Sequence, residues 1–272
     1  MDHIQLHQEI IRKKSFLCVG LDTHLEKLPD HLPKTLEGIL TFNMAIIEAT
    51  QNYAVAYKVN TAFYEQYGPE GWEVMEKTLE LIPANCFTIA DAKRGDIGNT
   101  SSMYAKAFFE RLNFDSITLS PYMGSDSIKP FLYPGKTLIV LALTSNAGAD
   151  DFQFFPSHET PLYTEVLESV QKWIPQDQLM FVTGATRAET LADIRKSVPD
   201  HFLLVPGVGK QGGSLSDVCK FGMNAHVGLI VNSSRGIIFA SSGLDFAEAA
   251  KSEAMKLQNQ METELRRLNK IP

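Results

Sequence analysis

Apolar positions recur along this chain with two periods, and the two periods take turns. Short runs at residues 16–22, 54–60, 87–93, 116–120, 137–143, 179–184, 202–206 and 227–232 are apolar or alternate residue by residue, the mark of strands. Between them apolar residues return every three to four positions, as helices require. Examples are Leu36, Leu40, Met44 and Ile47; Trp72, Met75, Leu79 and Ile82; Leu162, Val166, Val170 and Trp173; and Leu191, Ile194 and Val198. Residues 99–112 and 126–132 read as further helices. Ile4, His7 and Ile11 mark an opening helix, and the series Phe246, Ala250, Ala254, Leu257, Met261, Leu265 and Leu268 marks a long closing one. Eight strands alternating with helices, with no Pro/Gly-rich linker, predict an α/β fold: a single (β/α)8 barrel over residues 1–272 with N-terminal and C-terminal helices. A doubly wound open sheet gives the same alternation, but the count of eight favours closure.

A chain of 272 residues with 44% hydrophobic content can bury the large core that a barrel needs. No apolar run reaches membrane-spanning length, and the first residues carry no signal-peptide pattern, so a cytoplasmic protein is expected. The net charge of −7 argues against nucleic acid as a partner. Cys18, Cys86 and Cys219 are too few and too scattered for a disulfide framework or a zinc ribbon; Cys18 and Cys86 read as small core residues. His3 and His7 are four apart on a helix but lack a third ligand, and read as a polar helix face, so no metal is expected.

The strand ends change the picture. In a barrel of this kind catalytic groups sit at the C-terminal ends of the strands. Asp22 ends strand one, Lys58 strand two, and Asp91 and Lys93 strand three; Asp96 follows in the loop and Arg235 follows strand eight. Asp91 and Lys93 are two apart and so share a strand face. Opposite charges about 4 Å apart attract by roughly 4 kcal/mol at an effective dielectric of 20. A row of alternating Lys and Asp thus keeps lysines charged in a partly dry pocket. Such a row suits expulsion of a carboxylate and protonation of the carbanion left behind, with Asp91 crowding the leaving group and Lys93 supplying the proton.

An acidic protein that binds an anion must do so locally. Gly207, Gly209, Gly212 and Gly213 after strand seven offer backbone N–H groups, and Arg235 offers a bidentate fork, where barrels commonly hold phosphate. The run from Gly207 to Gly212 matches G-x-G-x-x-G, but the acidic residue expected about 20 positions on is missing, which excludes a dinucleotide site.

The segment Asp91-Ala92-Lys93-Arg94-Gly95-Asp96-Ile97 resembles the D-x-K-x-x-D-I signature of orotidine 5'-phosphate decarboxylases. With Gly98-Asn99-Thr100 it is similar to the subgroup of longer bacterial enzymes. The likeness extends to Asp22, Lys58, the Thr144-Ser145-Asn146-Ala147-Gly148 segment, the Gly209–Gly213 loop and Arg235-Gly236. It implies cofactor-free conversion of orotidine 5'-phosphate to UMP in pyrimidine synthesis. By position it implies Lys93 as proton donor, Asp91 facing the leaving carboxylate, Lys58 binding Asp91 and the ribose, and Asp22 binding the ribose. It further implies that Ser145 reads the pyrimidine amide, that Gln211, Arg235 and the Gly236 amide hold the phosphate, and that the Gly209–Gly213 loop closes as a lid. Asp96 and Thr100 would reach into the neighbouring subunit's site, with Ile97 among the substrate-binding positions, which implies a homodimer with shared sites. The aromatic run between Gly148 and Leu162 has no place in this scheme.

Three other readings fit parts of the pattern. A sister barrel acting on sugar phosphates would need Mg²⁺. A class I aldolase would use Lys58 or Lys93 as a Schiff base. A non-catalytic phosphate-binding barrel would need no intact charge row.

Overall fold

The computed structural model describes residues 1–157, 160–184, 188–208 and 213–272. The barrel strands are β1 (Leu17–Gly20), β2 (Ala54–Asn60), β3 (Phe87–Arg94), β4 (Ser116–Leu119), β5 (Thr137–Leu141), β6 (Leu179–Val182), β7 (Phe202–Pro206) and β8 (Leu229–Ser233). Each is parallel to the next and β8 pairs with β1, so the sheet closes in chain order. Closure, not the doubly wound alternative, is therefore the solution. It follows that every strand is flanked on both sides, and the strand interiors are almost wholly buried.

The principal helices are α1 (His3–Lys13), α2 (Leu36–Thr50), α3 (Gly68–Glu80), α4 (Gly98–Ala105), α5 (Leu162–Val170), α6 (Ala188–Ser197), α7 (Leu215–Gly222) and α8 (Phe246–Arg267). α4 runs on as a wider π-turn segment, Lys106–Arg111, completing the helix expected at 99–112. No described helix is long and apolar enough to cross a membrane.

In two helices the buried face differs in part from the one expected. In α1 the buried residues are Leu6, Ile10 and Lys13, whereas Ile4 is 71% exposed. The buried lysine explains the misreading. Lys13 Nζ donates to the Gln51 carbonyl at 2.9 Å and the Ala54 carbonyl at 2.6 Å, so α1 docks on the start of β2 through a charge that reads as surface. In α2 the buried stripe is Ile39, Phe42, Asn43, Ile46, Ile47 and Thr50; the expected Ile47 belongs to it, Leu36 and Leu40 are half-buried against the core, and Met44 faces outward. Asn43 belongs to this stripe because its amide donates to Tyr64 Oη and Thr78 Oγ1 and accepts from Thr23.

His3 is not on a polar helix face. Its ring packs edge-on against Phe202, 5.5 Å between centroids, with Thr137 Oγ1 at 3.3 Å from Nε2. All three cysteines are buried thiols.

Candidate active site

The strand ends carry the expected charges to one place. A cavity of about 750 Å³ opens at the C-terminal mouth of the barrel, lined among others by Asp22, Lys58, Asp91, Lys93, Arg235 and Gly236. Lys58 projects from β2 into the barrel mouth between two carboxylates, donating to Asp91 Oδ2 at 2.8 Å and Asp22 Oδ1 at 3.2 Å. Lys93 Nζ approaches Asp91 Oδ1 at 2.6 Å. Asp91 thus stands between two ammonium groups, one per carboxylate oxygen.

Burial and pairing pull the two central groups in opposite directions, and pairing wins. For Lys58, burial favours the neutral amine, but Asp91 and Asp22 outweigh it and raise the pKa above that of a free lysine. For Asp91, burial favours the neutral acid, but Lys58 and then Lys93 hold the carboxyl at about 2. Both are fully ionised at neutral pH. Their surroundings differ from that of Lys93, whose side chain is half exposed at 50% against 6% for Lys58.

Regular strand alternation does not account for how Lys93 meets Asp91. The pairing of β3 with β4 runs Ile89 to Ser116 and Ala90 to Ile117, then breaks and resumes at Arg94 to Leu119. Lys93 sits in this irregularity with φ of +46°, a left-handed conformation that costs a residue with a Cβ about 1–2 kcal/mol. Arg94 turns away from the cavity: its guanidinium pairs with Glu65 and lies over Tyr104, 5.2 Å from the ring centroid.

The remaining predicted residues divide into three groups. Arg235 and Gly236 open a one-turn helix, Arg235–Ile238, beyond β8 and line the cavity with Gly207 and Val208. Asp96, Ile97 and Thr100 are not among the cavity-lining residues. Asp96 Oδ1 accepts from the Ile97 amide, Ile97 is 56% exposed, and Thr100 lies on the exposed first turn of α4. Within one chain the charge row is therefore Asp22–Lys58–Asp91–Lys93, without Asp96. Ser145 is exposed in the loop after β5 and lies outside the cavity lining, and Gln211 lies outside the described residues.

Several groups escaped the sequence reading. Asn60 and Asn232 line the cavity from the ends of β2 and β8, and the strand-end rule that picked out the charges also applies to them. Asn232 leaves its Oδ1 buried with no partner among the described residues, an acceptor available to a hydroxyl. Thr118, from β4, donates to Asp91 Oδ1 at 3.1 Å and is 1% exposed. The segment between Gly148 and Leu162 also has a defined task. Gln153 accepts from the Thr144 amide and donates to Thr144 Oγ1, both at 2.8 Å, pinning the loop that carries Ser145. Phe152 and Phe155 beside it are about two-thirds exposed, at 67% and 66%.

The family model for orotidine 5'-phosphate decarboxylase / HUMPS matches residues 15–251. A protein of Flavobacterium johnsoniae named orotidine 5'-phosphate decarboxylase is 61% identical over 261 residues, covering 94% of this chain and 96% of the relative. The solved structure of Leishmania donovani OMP decarboxylase superimposes with a TM-score of 0.83 at 36% identity, covering 97% of this chain and all of the other. The UMP synthase of the same organism matches with a TM-score of 0.84 at 38% identity, but this chain spans only 57% of that longer protein. Matched over most of its length in sequence and over nearly all of it in structure, the chain belongs to the orotidine 5'-phosphate decarboxylase / HUMPS family.

Proposed function

We propose that this protein decarboxylates orotidine 5'-phosphate to UMP, with Lys93 as the proton donor and Asp91 as its electrostatic partner. The observation that carries the reading is the carboxylate of Asp91, kept ionised between Lys58 and Lys93 at the mouth of the barrel. A substrate carboxylate placed beside Asp91 meets a second negative charge that cannot protonate away. As the bond from C6 to the carboxyl carbon breaks, CO₂ leaves neutral and the electron pair remains on C6. Repulsion from Asp91 is thereby relieved in the transition state, while attraction to the Lys93 ammonium grows. An N–H bond of Lys93 then breaks, its proton closes the C6–H bond, and the amine recovers a proton from solvent.

The two lysines are suited to different tasks. Lys58 is buried, bonded to two carboxylates and held charged above the range of a free lysine, so it fixes Asp91 rather than surrendering a proton. The same charge disfavours the aldolase reading for Lys58, because a Schiff base needs a free amine. Lys93 has one carboxylate partner and a half-exposed chain facing the cavity. Asp22 and Lys58 would hold the ribose, and Arg235 with the Gly236 amide would hold the phosphate at the β8 side; all four line the cavity. Gln211 and Ser145 complete the scheme by resemblance alone. Binding energy from the phosphate, remote from C6, would act on closure of the site.

Asp96, Ile97 and Thr100 support a homodimer with shared sites. They lie together beside the active strand yet turn outward, and the surface around them exposes Met103 (48%), Tyr122 (86%) and Met123 (45%). The enzyme would be cytoplasmic and need no cofactor, since its own charged groups supply the stabilisation. The test is Lys93→Ala, which should abolish turnover while UMP still binds. Full turnover in that variant would remove Lys93 from the role of donor.

A further inference from the structure

We propose that Thr118 is a positioning residue for the decarboxylation: its single hydroxyl sets both the carboxylate of Asp91 and the backbone that aims Lys93. This role rests on the reading of the active site given above.

The geometry points to a built device. Thr118 sits in β4 and is 1% exposed, beneath the cavity rather than lining it. Its Oγ1 accepts the Lys93 backbone N–H at 2.9 Å and lies 3.1 Å from Asp91 Oδ1, to which it donates. The alternative acceptor, the Ala90 carbonyl, is farther at 3.5 Å, and the competing carboxylate is charged, so the one hydroxyl proton goes to Asp91.

This hydroxyl stands where the sheet ladder fails. The four steps of β3 from Ala90 to Arg94 face the two steps of β4 from Ile117 to Leu119. Lys93 occupies that irregularity with φ of +46°, a conformation unfavourable to any residue with a Cβ. Its amide is paired with the Thr118 side chain instead of a strand carbonyl, and the backbone bond anchors the left-handed turn. From that turn the Lys93 chain folds back to bring Nζ to the same Asp91 oxygen that Thr118 touches. One side chain therefore couples the acid's backbone to its carboxylate partner. A purely structural threonine in a strand needs only to fill space, and a valine of nearly the same shape in its place would leave the chemistry unchanged.

The variants Thr118→Val and Thr118→Ser separate the two roles. Valine removes donor and acceptor with little change of shape; serine keeps both. Steady-state kinetics with orotidine 5'-phosphate should show kcat of the valine form reduced roughly 10- to 100-fold, as expected for misplaced reacting groups. KM and UMP affinity should stay close to those of the wild type, because Thr118 does not touch the cavity. Serine should restore most of kcat. Wild-type kcat in Thr118→Val overturns the role, as does an equal loss in both variants accompanied by a matching loss of UMP affinity. If the valine form fails to fold, Thr118→Ala with the serine control is read by the same criteria. An inactive wild-type chain would overturn the assignment of the reaction and this role with it, whereas an active wild type indifferent to valine would overturn this role alone.

Discussion

Replacing Lys58 with methionine should destabilise the fold through Asp91, and replacing Asp91 as well should return much of the loss. Lys58 is 5% exposed and bonds both Asp91 and Asp22, so its removal leaves Asp91, 9% exposed, with only the half-exposed Lys93 as a cation. Two routes give the size. The Asp91 carboxyl lies at about 2 instead of its ordinary 3.8, and at 1.36 kcal/mol per unit this is about 2 kcal/mol. Breaking a buried ion pair by deleting one partner costs about 3–5 kcal/mol. Lys58→Met should therefore lower stability by roughly 2–4 kcal/mol at pH 7. Because the carboxyl is depressed in the folded state, its contribution is complete above 3.8 and disappears as pH falls towards 2. The penalty of the variant should shrink in that same acid window. Asp91→Asn keeps the shape and the acceptor for Thr118 without a charge to strand, so the double variant should lose less than the two singles added together. Equilibrium urea denaturation, read as a shift of midpoint at constant slope, measures all three. Strict additivity, or a cost below about 1 kcal/mol for Lys58→Met, would refute the claim that Asp91 depends on Lys58.

The other expectations concern two buried histidines and the proposed subunit contact. Burial, with smaller contributions from neighbouring charges, lowers both His3 and His201 from 6.5 to about 4. The unfolded chain then takes up protons first, so stability should fall as pH drops from 6.5 towards 4, by up to about 3 kcal/mol per histidine. Urea midpoints of wild type and a His3→Gln/His201→Gln double variant across that window check this; parallel pH curves would count against it. If Asp96 serves the partner's site, mixing inactive Asp96→Ala and Lys93→Ala chains should regain part of the activity, since one site in the hybrid dimer is intact. Confirmed subunit exchange without recovery would exclude shared sites.

The barrel was legible because its strands, buried on all sides, keep their apolar runs and end in charges. Asp22, Lys58, Asp91 and Lys93 converge in the structure as those strand ends implied. What remained hidden involves residues used against type. The core face of α1 includes Lys13, whose charge is spent on carbonyls at the start of β2, so the periodicity pointed to Ile4 instead. Lys93 takes a left-handed backbone that sequence associates with glycine, and Thr118 looks like any strand former until its hydroxyl is seen between Asp91 and Lys93. Asp96 lies near the row in sequence but outside it in space, since β3 ends at Arg94 and the Asp96 carboxylate accepts from the next residue's amide. Gln153 shows the same limit, because nothing local announces that it will pin Thr144.

These details share one consequence. The charged groups proposed for the chemistry are fixed by buried contacts from three neighbouring strands, β2, β3 and β4, whereas the positions implied for base recognition and subunit contact lie on exposed loops and the exposed first turn of α4. The rigid part should set the chemistry and the loops should set binding.

The central claim is tested most directly by incubating the purified protein with orotidine 5'-phosphate in excess EDTA and following ultraviolet absorbance together with CO₂ release. Full conversion to UMP with one CO₂ per nucleotide is expected, at a rate that EDTA does not change. No conversion by folded protein, or activity only with Mg²⁺ and a keto-sugar phosphate, would contradict it.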